Sequence, residues 1–322
     1  MFESYLSETG TVVYPTDETD TLPYVLYGRA CAVVYQNELH LLGGTNSDNP
    51  VASSASKMHY AWNGYGWRSV STLPMFFLEG RAVVYDGKIH LIGGYHRETA
   101  NLHYVWDGVS WEQLDNIPCA VKTDTSYFSS GVFVYENKIH TIGIYNTFYS
   151  SSFFDPSHYS FDGNTWTQET DYVGDKDSLV FMYNGKIHCI GKTGYHYVYQ
   201  NGDWVQLTDV SKTSSNMNTA YGIEFNGKYY FFRTSGGTST GVFDGTEIIE
   251  PSWGVTPYGQ TYYSPYASTP VVYQNKLHLM GGRVLYYNRM RAHMIFNDTN
   301  ETFYECTNKT SRIYIKTRKN PT

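Results

Sequence analysis

The hydrophobic pattern of the chain comes in short β-rich runs broken by turn pairs, and the stretch GRAVVYDGKIHLIGG at 80–94 shows the unit. Two runs, Ala82–Tyr85 and Lys88–Ile92, flank Asp86-Gly87, a pair that accepts positive φ at little cost and so predicts a tight hairpin. A second pattern, LHYVWDGVSWEQL at 102–114, predicts strands at Leu102–Trp106 and Ser110–Leu114 around Asp107-Gly108. One residue looks out of place. His90 stands between Ile89 and Leu91, where an imidazole must be a ligand, a catalytic group or a packed structural residue.

The unit recurs. CAVVYQNELHLLGG (31–44), AVVYDGKIHLIGG (82–94), VFVYENKIHTIGI (132–144), LVFMYNGKIHCIGK (179–192), YGIEFNGKYYFFR (221–233) and PVVYQNKLHLMGG (270–282) are six copies, stepping by 50, 50, 48, 42 and 48 residues at the histidine position. That period is too long for ankyrin or leucine-rich units and matches a propeller blade. With the second pattern following each copy, a repeat contains four strands, A to D. The expected fold is all-β: one six-bladed β-propeller of four-stranded blades over residues 24–308, with segments 1–23 and 309–322 outside it.

Composition agrees with many aromatic strands and loops: 32 tyrosines and 7 tryptophans against 16% charged residues. The net charge of −7 and the absence of a long basic run argue against nucleic acid as a partner. No apolar run reaches the roughly 18 residues of a spanning helix, and the start MFESYLSETG lacks the basic and apolar regions of a signal peptide. Cys31, Cys119, Cys189 and Cys306 form no C-x-x-C pair and read as buried small apolar residues.

The glycine doublets Gly43-Gly44, Gly93-Gly94, Gly236-Gly237 and Gly281-Gly282, followed by Tyr-containing strands and then Trp67, Trp111, Trp166 and Trp204, resemble the kelch repeat. The resemblance spans roughly 24–306. Blades three and four keep only Gly143 and Gly191. Ile248 or Ile249 and Phe303 stand near the Trp position of blades five and six, and His replaces the commoner Tyr of strand B. The NGKIH-IGG flavour is similar to kelch proteins of phage tails and related particles, which implies attachment or decoration of a particle.

Ten histidines fall into two columns. His40, His90, His140, His188 and His278 occupy strand B, with Tyr230 in the fifth copy; His59, His103, His158, His196 and His293 occupy strand C, with Thr240 in the fifth. A metal would need about four donors near 2.1 Å from one point, and sheets about 10 Å apart cannot bring successive columns together. The histidines therefore read as blade packing, with the two members of a blade as neighbours, and no metal or cofactor is expected. Asp162-Gly163 in SFDGNTW reads as a C/D turn rather than a sialidase-type Asp box, and the glycine-rich FFRTSGGTSTG opens no helix that could cradle a phosphate. No spacing suggests the Tyr and Cys copper site of galactose-oxidase-type kelch enzymes.

Function is expected on the face formed by the B/C and D/A connections, because the A/B and C/D turns are short and uniform. Aromatic candidates for binding are Tyr145, Phe148, Tyr149, Phe153 and Phe154 in the third blade's B/C loop. Tyr258, Tyr262, Tyr263 and Tyr266 lie before blade six, and Tyr286 and Tyr287 within it. Tyr with Ser, Gly and Asn is a mixture suited to recognition, and the same rings would also serve to cover the channel. A non-catalytic module that binds a cell-surface glycan or protein is the first expectation, virion-associated or extracellular. The alternatives are an enzyme on the same scaffold (epimerase, oxidase or cyclase type) and a cytoplasmic protein–protein adaptor. The acidic start, with its GTVVYP run, and the basic end, with RIYIKT, are expected to pair with each other or to dock to other particle components.

Overall fold

The computed structural model describes residues 5–6, 12–13, 22–24, 26, 28–46, 55–64, 66–94, 101–118, 127–146, 153–174, 178–191, 193–210, 220–233, 240–249, 263–264, 268–281, 283–284, 293–297 and 302–305. Every regular element among them is a β-strand, and among the described residues no helix is long and apolar enough to cross a membrane. Six antiparallel four-stranded sheets follow one another, each in the simple order A-B-C-D. Blade I is Gly28–Tyr35, Glu38–Thr45, Ser56–Trp62 and Trp67–Phe77; blade II is Arg81–Tyr85, Lys88–Ile92, His103–Trp106 and Trp111–Gln113. Blade III is Tyr127–Tyr135, Lys138–Asn146, Phe153–Phe161 and Trp166–Gln168, and blade IV is Leu179–Tyr183, Lys186–Ile190, His196–Gln200 and Asp203–Gln206. Blades V and VI are Ala220–Phe225, Lys228–Arg233, Thr240–Phe243, Ile248–Ile249 and Thr269–Tyr273, Lys276–Met280, His293–Asn297, Thr302–Glu305. Strand A of each blade packs on strand A of the next, and the sixth packs on the first. The result is a closed six-bladed β-propeller with the A strands innermost.

The turn chemistry is that of the sequence. All six A/B turns place two successive residues at positive φ, from Gln36 (48°) and Asn37 (62°) to Gln274 (48°) and Asn275 (56°), the type I′ geometry that suits strand twist. In the C/D turns a carboxylate accepts from the backbone: Asp107 Oδ1 from the Val109 and Ser110 amides at 2.7 and 2.8 Å, and Asp162 Oδ1 from Asn164 and Thr165 at 2.8 and 2.9 Å. Asp162 is thus a turn residue. The glycine doublet has a steric cause. Gly43 lies at φ 67°, and a Cβ there would meet the Phe77 carbonyl oxygen at 2.3 Å.

Blade-to-blade adhesion comes from the histidine columns. In each of five blades Nδ1 of the strand B histidine lies 2.8 Å from Nε2 of the strand C histidine: His40–His59, His90–His103, His140–His158, His188–His196 and His278–His293. The rings meet diagonally across the ladder, since His90 is in register with Val105 and His103 with Ile92. All ten are buried. The strand C ring then packs edge-on against the aromatic residues flanking the next blade's C/D turn. His59 meets Trp106 at 5.4 Å, His103 meets Phe161 at 4.9 Å, His158 meets Tyr199 at 4.6 Å and His196 meets Phe243 at 5.6 Å. His293 of the last blade meets Trp62 of the first at 4.8 Å. Blade V lacks the pair and uses Tyr230 against Phe296, 5.6 Å away.

A second joint is a tyrosine that ends strand A and donates into the next blade's turns. Tyr85 reaches the carbonyls of Asn137 and Asp162, both at 3.0 Å, and Tyr183 those of Gly227 and Asp244 at 3.0 and 3.2 Å. Tyr273 does the same across the closure, to the Asn37 carbonyl at 2.9 Å. Among the described residues no strand is exchanged between first and last blades; the two meet through strand A packing and through side chains that reach the Ala30 and Asn37 carbonyls. Outside it, Tyr5–Leu6 pairs with Val12–Val13; residues 309–322, proposed above as a partner for the GTVVYP run, lie outside the described residues.

Two elements run longer than the repeat pattern. Strand D of blade I runs over the eleven residues Trp67–Phe77, with register shifts at Ser56/Met58 and His59/Tyr60 that let it bend past the sheet. In blade III the hairpin zips further than expected: Tyr145 pairs with Phe154 and Asn146 with Phe153. Residues placed in a loop are strand residues there, because an aromatic run opposite another continues the ladder once a bulge between Ile142 and Ile144 restores register.

Burial pushes His40, His90, His140, His158, His188 and His278 down to about 4 and His59 and His103 to about 3, and lowers His196. The unfolded chain, with histidines near 6.5, binds more protons than the fold below that pH. Stability is therefore complete above pH 6.5 and falls as the pH drops from 6.5 toward 4, at about 1.4 kcal/mol per pH unit for each ring protonated only on unfolding. Urea melts between pH 8 and 4.5 should show a flat region followed by a steep loss, and equal midpoints throughout would contradict the neutral-pair assignment. His103→Ala should cost about 2–4 kcal/mol through a cavity and an orphaned His90 nitrogen. Tyr273→Phe, which frees the Asn37 carbonyl and removes the acceptor of the Gln274 Nε2 donor, should cost about 1–2 kcal/mol, measured by the same melts.

Candidate binding face at the channel mouth

The two ends of the propeller differ in what they leave available. At the A/B and C/D end the side chains and backbone are committed to tight turns and to the tyrosine joints. At the other end the B/C and D/A connections leave the blades, and two features stand there.

The first is a cavity of about 630 Å³ beside the outer strands of blade I. Its walls combine rings, from Tyr24, Tyr60 and Phe76, with polar groups from Asn46, Lys57 and Ser71. Tyr24 stacks on Tyr60 with centroids 5.5 Å apart and anchors its hydroxyl on the Gly43 carbonyl at 3.0 Å. Lys57 lies 5.0 Å over the Phe76 ring, and Phe76 is 49% exposed. The bend of the long strand D opens this space.

His59 and Ser71 also line the cavity. Trp111 Nε1 donates to Ser71 Oγ at 3.0 Å, and Ser71 Oγ lies 2.8 Å from His59 Nδ1. With the serine proton on the Ser71–His59 contact, the His59 proton is on Nε2 and is donated to His40 Nδ1; the opposite tautomer reverses both bonds. The order Ser–His–His has the layout of a nucleophile relay but poor energetics. Burial, then the His40 and Arg68 neighbours, bring His59 down to about 3, too weak a base to take a serine proton near neutral pH.

The second feature is the mouth of the axial channel. Cys31, Arg81, Gly131, Leu179, Tyr221 and Thr269 occupy one equivalent position of strand A, each in register with the same strand B position: Leu42, Ile92, Ile142, Ile190, Phe232 and Met280. Arg81 of blade II places its guanidinium 4.3 Å from the ring centroid of Tyr221 in blade V, three blades round the ring and so across the axis. Its Nη1 donates to the Gly80 carbonyl at 3.2 Å. Cys31 Sγ also donates to the Gly80 carbonyl, at 2.9 Å, and burial pushes its thiol up to about 12. Next to them Arg29 forms an ion pair with the buried Glu79, and the Glu79 amide donates to the Arg29 carbonyl at 3.0 Å. Both residues hold positive φ, 60° and 64°, without being glycine, a cost found where surrounding contacts over-determine the backbone. Burial raises the Tyr221 hydroxyl, against which Arg81 and Arg29 pull down.

Of the residues singled out from sequence, Tyr145, Phe153 and Phe154 lie in the blade III ladder, and Tyr263 in a two-residue strand, Tyr263–Ser264, paired with Arg283–Val284. Phe148, Tyr149, Tyr258, Tyr262, Tyr266, Tyr286 and Tyr287 lie outside the described residues. Arg29, Glu79, Arg81, Tyr221 and the Tyr24–Tyr60 pair were missed by sequence reasoning. A column-by-column reading of the repeats would have found Arg81 and Tyr221, since theirs is a column that changes chemistry in every copy. Among the described residues no group of three or more His, Cys, Asp or Glu side chains is arranged to hold a metal ion.

No family model matches the chain, and no curated protein matches it. The fold is similar to that of a solved structure titled "Structure of YjhT", with a TM-score of 0.60 over 89% of this chain and 99% of that one, at 12% identity. At that identity the likeness is one of fold.

Replacing Ser71 by alanine should destabilise by about 1–3 kcal/mol, since it orphans the Trp111 N–H and His59 Nδ1. If the relay is structural, a fluorophosphonate probe should leave Ser71 unlabelled in the native protein, and labelling that disappears in Ser71→Ala would show an activated nucleophile.

Proposed function

We propose that this chain is a non-catalytic binding module that recognises a glycan on the face formed by its B/C and D/A connections. The observation that carries the reading is the blade I cavity on that face. Stacked tyrosines beside hydroxyl, amide and ammonium groups supply what a sugar needs, an apolar platform for its C–H face and donors and acceptors for its hydroxyls. The opposite end offers only hydrogen-bonded turns. The aromatic residues Tyr149, Tyr262 and Tyr287 of the surrounding connections, with Phe153 and Tyr263 on the strands that adjoin them, belong to the same proposed surface. The resemblance to phage-tail kelch proteins adds a role for it, attachment of a particle to a cell-surface glycan, with the termini docking to other components. The weak basicity of His59 favours binding over hydrolysis at this cavity.

A glycan array probed with the purified chain, followed by titration of the best ligand, tests the proposal. Tyr60→Ala and alanine at those five aromatics should each weaken binding about tenfold or more where the residue is an anchor. Alanine at the turn residues Asp86, Asn184 and Asn226 should leave it unchanged, with melting temperature as the control for folding. Loss of affinity in the turn variants alone would place the site on the opposite face, and an array without hits would remove the glycan reading in favour of a protein partner.

A further inference from the structure

We infer that Arg81, stacked on Tyr221 across the channel mouth, is the anchor for the anionic group of an acidic glycan. The inference rests on the binding-module reading above and narrows its ligand class. Within the repeats, the columns that build blades barely vary: the tyrosine or phenylalanine ending strand A, the strand B histidine, the turn pair. The column holding Arg81 reads Cys, Arg, Gly, Leu, Tyr and Thr through the six blades, so blade packing does not dictate it. It carries one cation.

The guanidinium is held in place yet incompletely used. Tyr221, itself buried, supplies one face of contact, and the Gly80 carbonyl takes one N–H. A guanidinium has five N–H donors; the others have no acceptor among the described residues. The adjacent carboxylate, Glu79, is engaged by Arg29, so it does not neutralise Arg81. Arg81 is only half-buried, whereas the described side chains at its column positions, Cys31, Leu179, Tyr221 and Thr269, are buried. Gly131, in the same column of the adjoining blade, contributes no side chain to crowd it. A stacked, pre-oriented fork with spare donors at a partly dry mouth is suited to a carboxylate or a sulfate, which it binds through charge-assisted and, for carboxylate, bidentate hydrogen bonds. The chain as a whole is acidic at −7, so attraction of an anion has to be local to this mouth.

Calorimetric titration of the full chain with hyaluronan oligosaccharides (carboxylate), a sulfated dextran (sulfate) and unmodified dextran (neutral), at two salt concentrations, tests the inference. The expected result is binding of at least one anionic probe that weakens with salt and drops about tenfold or more in Arg81→Met, with partial retention in Arg81→Lys, while melting temperatures stay close to that of the parent. The carboxylate and sulfate arms identify which anion is preferred. Anionic binding unchanged in Arg81→Met would overturn the inference while leaving the module reading intact, as would binding of neutral probes alone. Failure of all three probes, together with an array without hits, would overturn both. Tyr221→Phe keeps the stacked ring and removes the hydroxyl; it should weaken anionic binding less than Arg81→Met, and an equal or larger loss would move the anchor to Tyr221.

Discussion

The hydrogen bond between two buried neutral imidazoles, repeated in five blades, is the interaction on which the rest of the propeller depends. It solves a problem particular to this architecture. Each sheet must present the same flat face to the next, and a polar group inside that face is tolerable only with a partner. Pairing the strand B and strand C rings within one blade gives each ring one hydrogen-bond partner inside its own sheet, and leaves the ring faces to act as aromatic surfaces. The strand C imidazole then meets the edge or face of the following blade's C/D aromatics, Trp106 and Trp111 for His59 and Trp62 and Trp67 for His293. Histidine here does the work of two residue types, a hydrogen-bonding core residue and a packing ring. The same burial makes the array intolerant of acid, because none of its rings can take up a proton without placing a charge between two sheets.

Blade V is the exception that shows how the joints share the load. It has Tyr230 and Val242 in register where the other blades have a histidine and its neighbour, and Phe225 ends its strand A, without the hydroxyl that Tyr85, Tyr183 and Tyr273 send into the next blade. Its contact with blade VI is correspondingly apolar, a cluster of Phe225, Tyr230, Phe232, Val242, Leu277, Leu279, Met294 and Phe296. Directional bonds and shape-filling rings are alternative ways to hold neighbouring sheets. Five histidine joints and one apolar joint coexist in the same ring.

This division of labour also distinguishes the two ends of the ring. The turn end is consumed by I′ hairpins, Asx-type carboxylates and tyrosine joints, leaving little that a ligand could engage without breaking a blade contact. At the connection end the backbone leaves the sheets, strand D of blade I bends away to open a cavity, and Arg81 and Tyr221 meet across the axis. The strained Arg29 and Glu79 hold the crossing from blade I to blade II in a fixed shape beside them. Among the described residues, the side chains that the ring contacts leave over stand at this end, around the blade I cavity and the axial mouth.

What the chain determined by itself was everything of short range. Turn pairs such as Asp86-Gly87 and Gln274-Asn275 dictate hairpins because few residues accept positive φ; alternation in runs such as Ala82–Tyr85 dictates strands; and repetition of both dictates six blades. The histidine columns were legible as structural for the same reason, since a residue recurring at a fixed strand position answers to the blade and not to one site. The extension of the blade III hairpin through Tyr145 and Phe154 was not legible, because a bulge at Ile142/Ile144 shifts register in a way that alternation alone does not reveal. Nor was the pairing of Arg81 with Tyr221, or the cavity under Tyr24 and Tyr60. Those depend on closure of the ring, which brings opposite blades within one side chain of each other and folds the segment before blade I onto its outer strands. Periodicity carries information along the chain, whereas distances across the axis exist only once six sheets have packed into a circle.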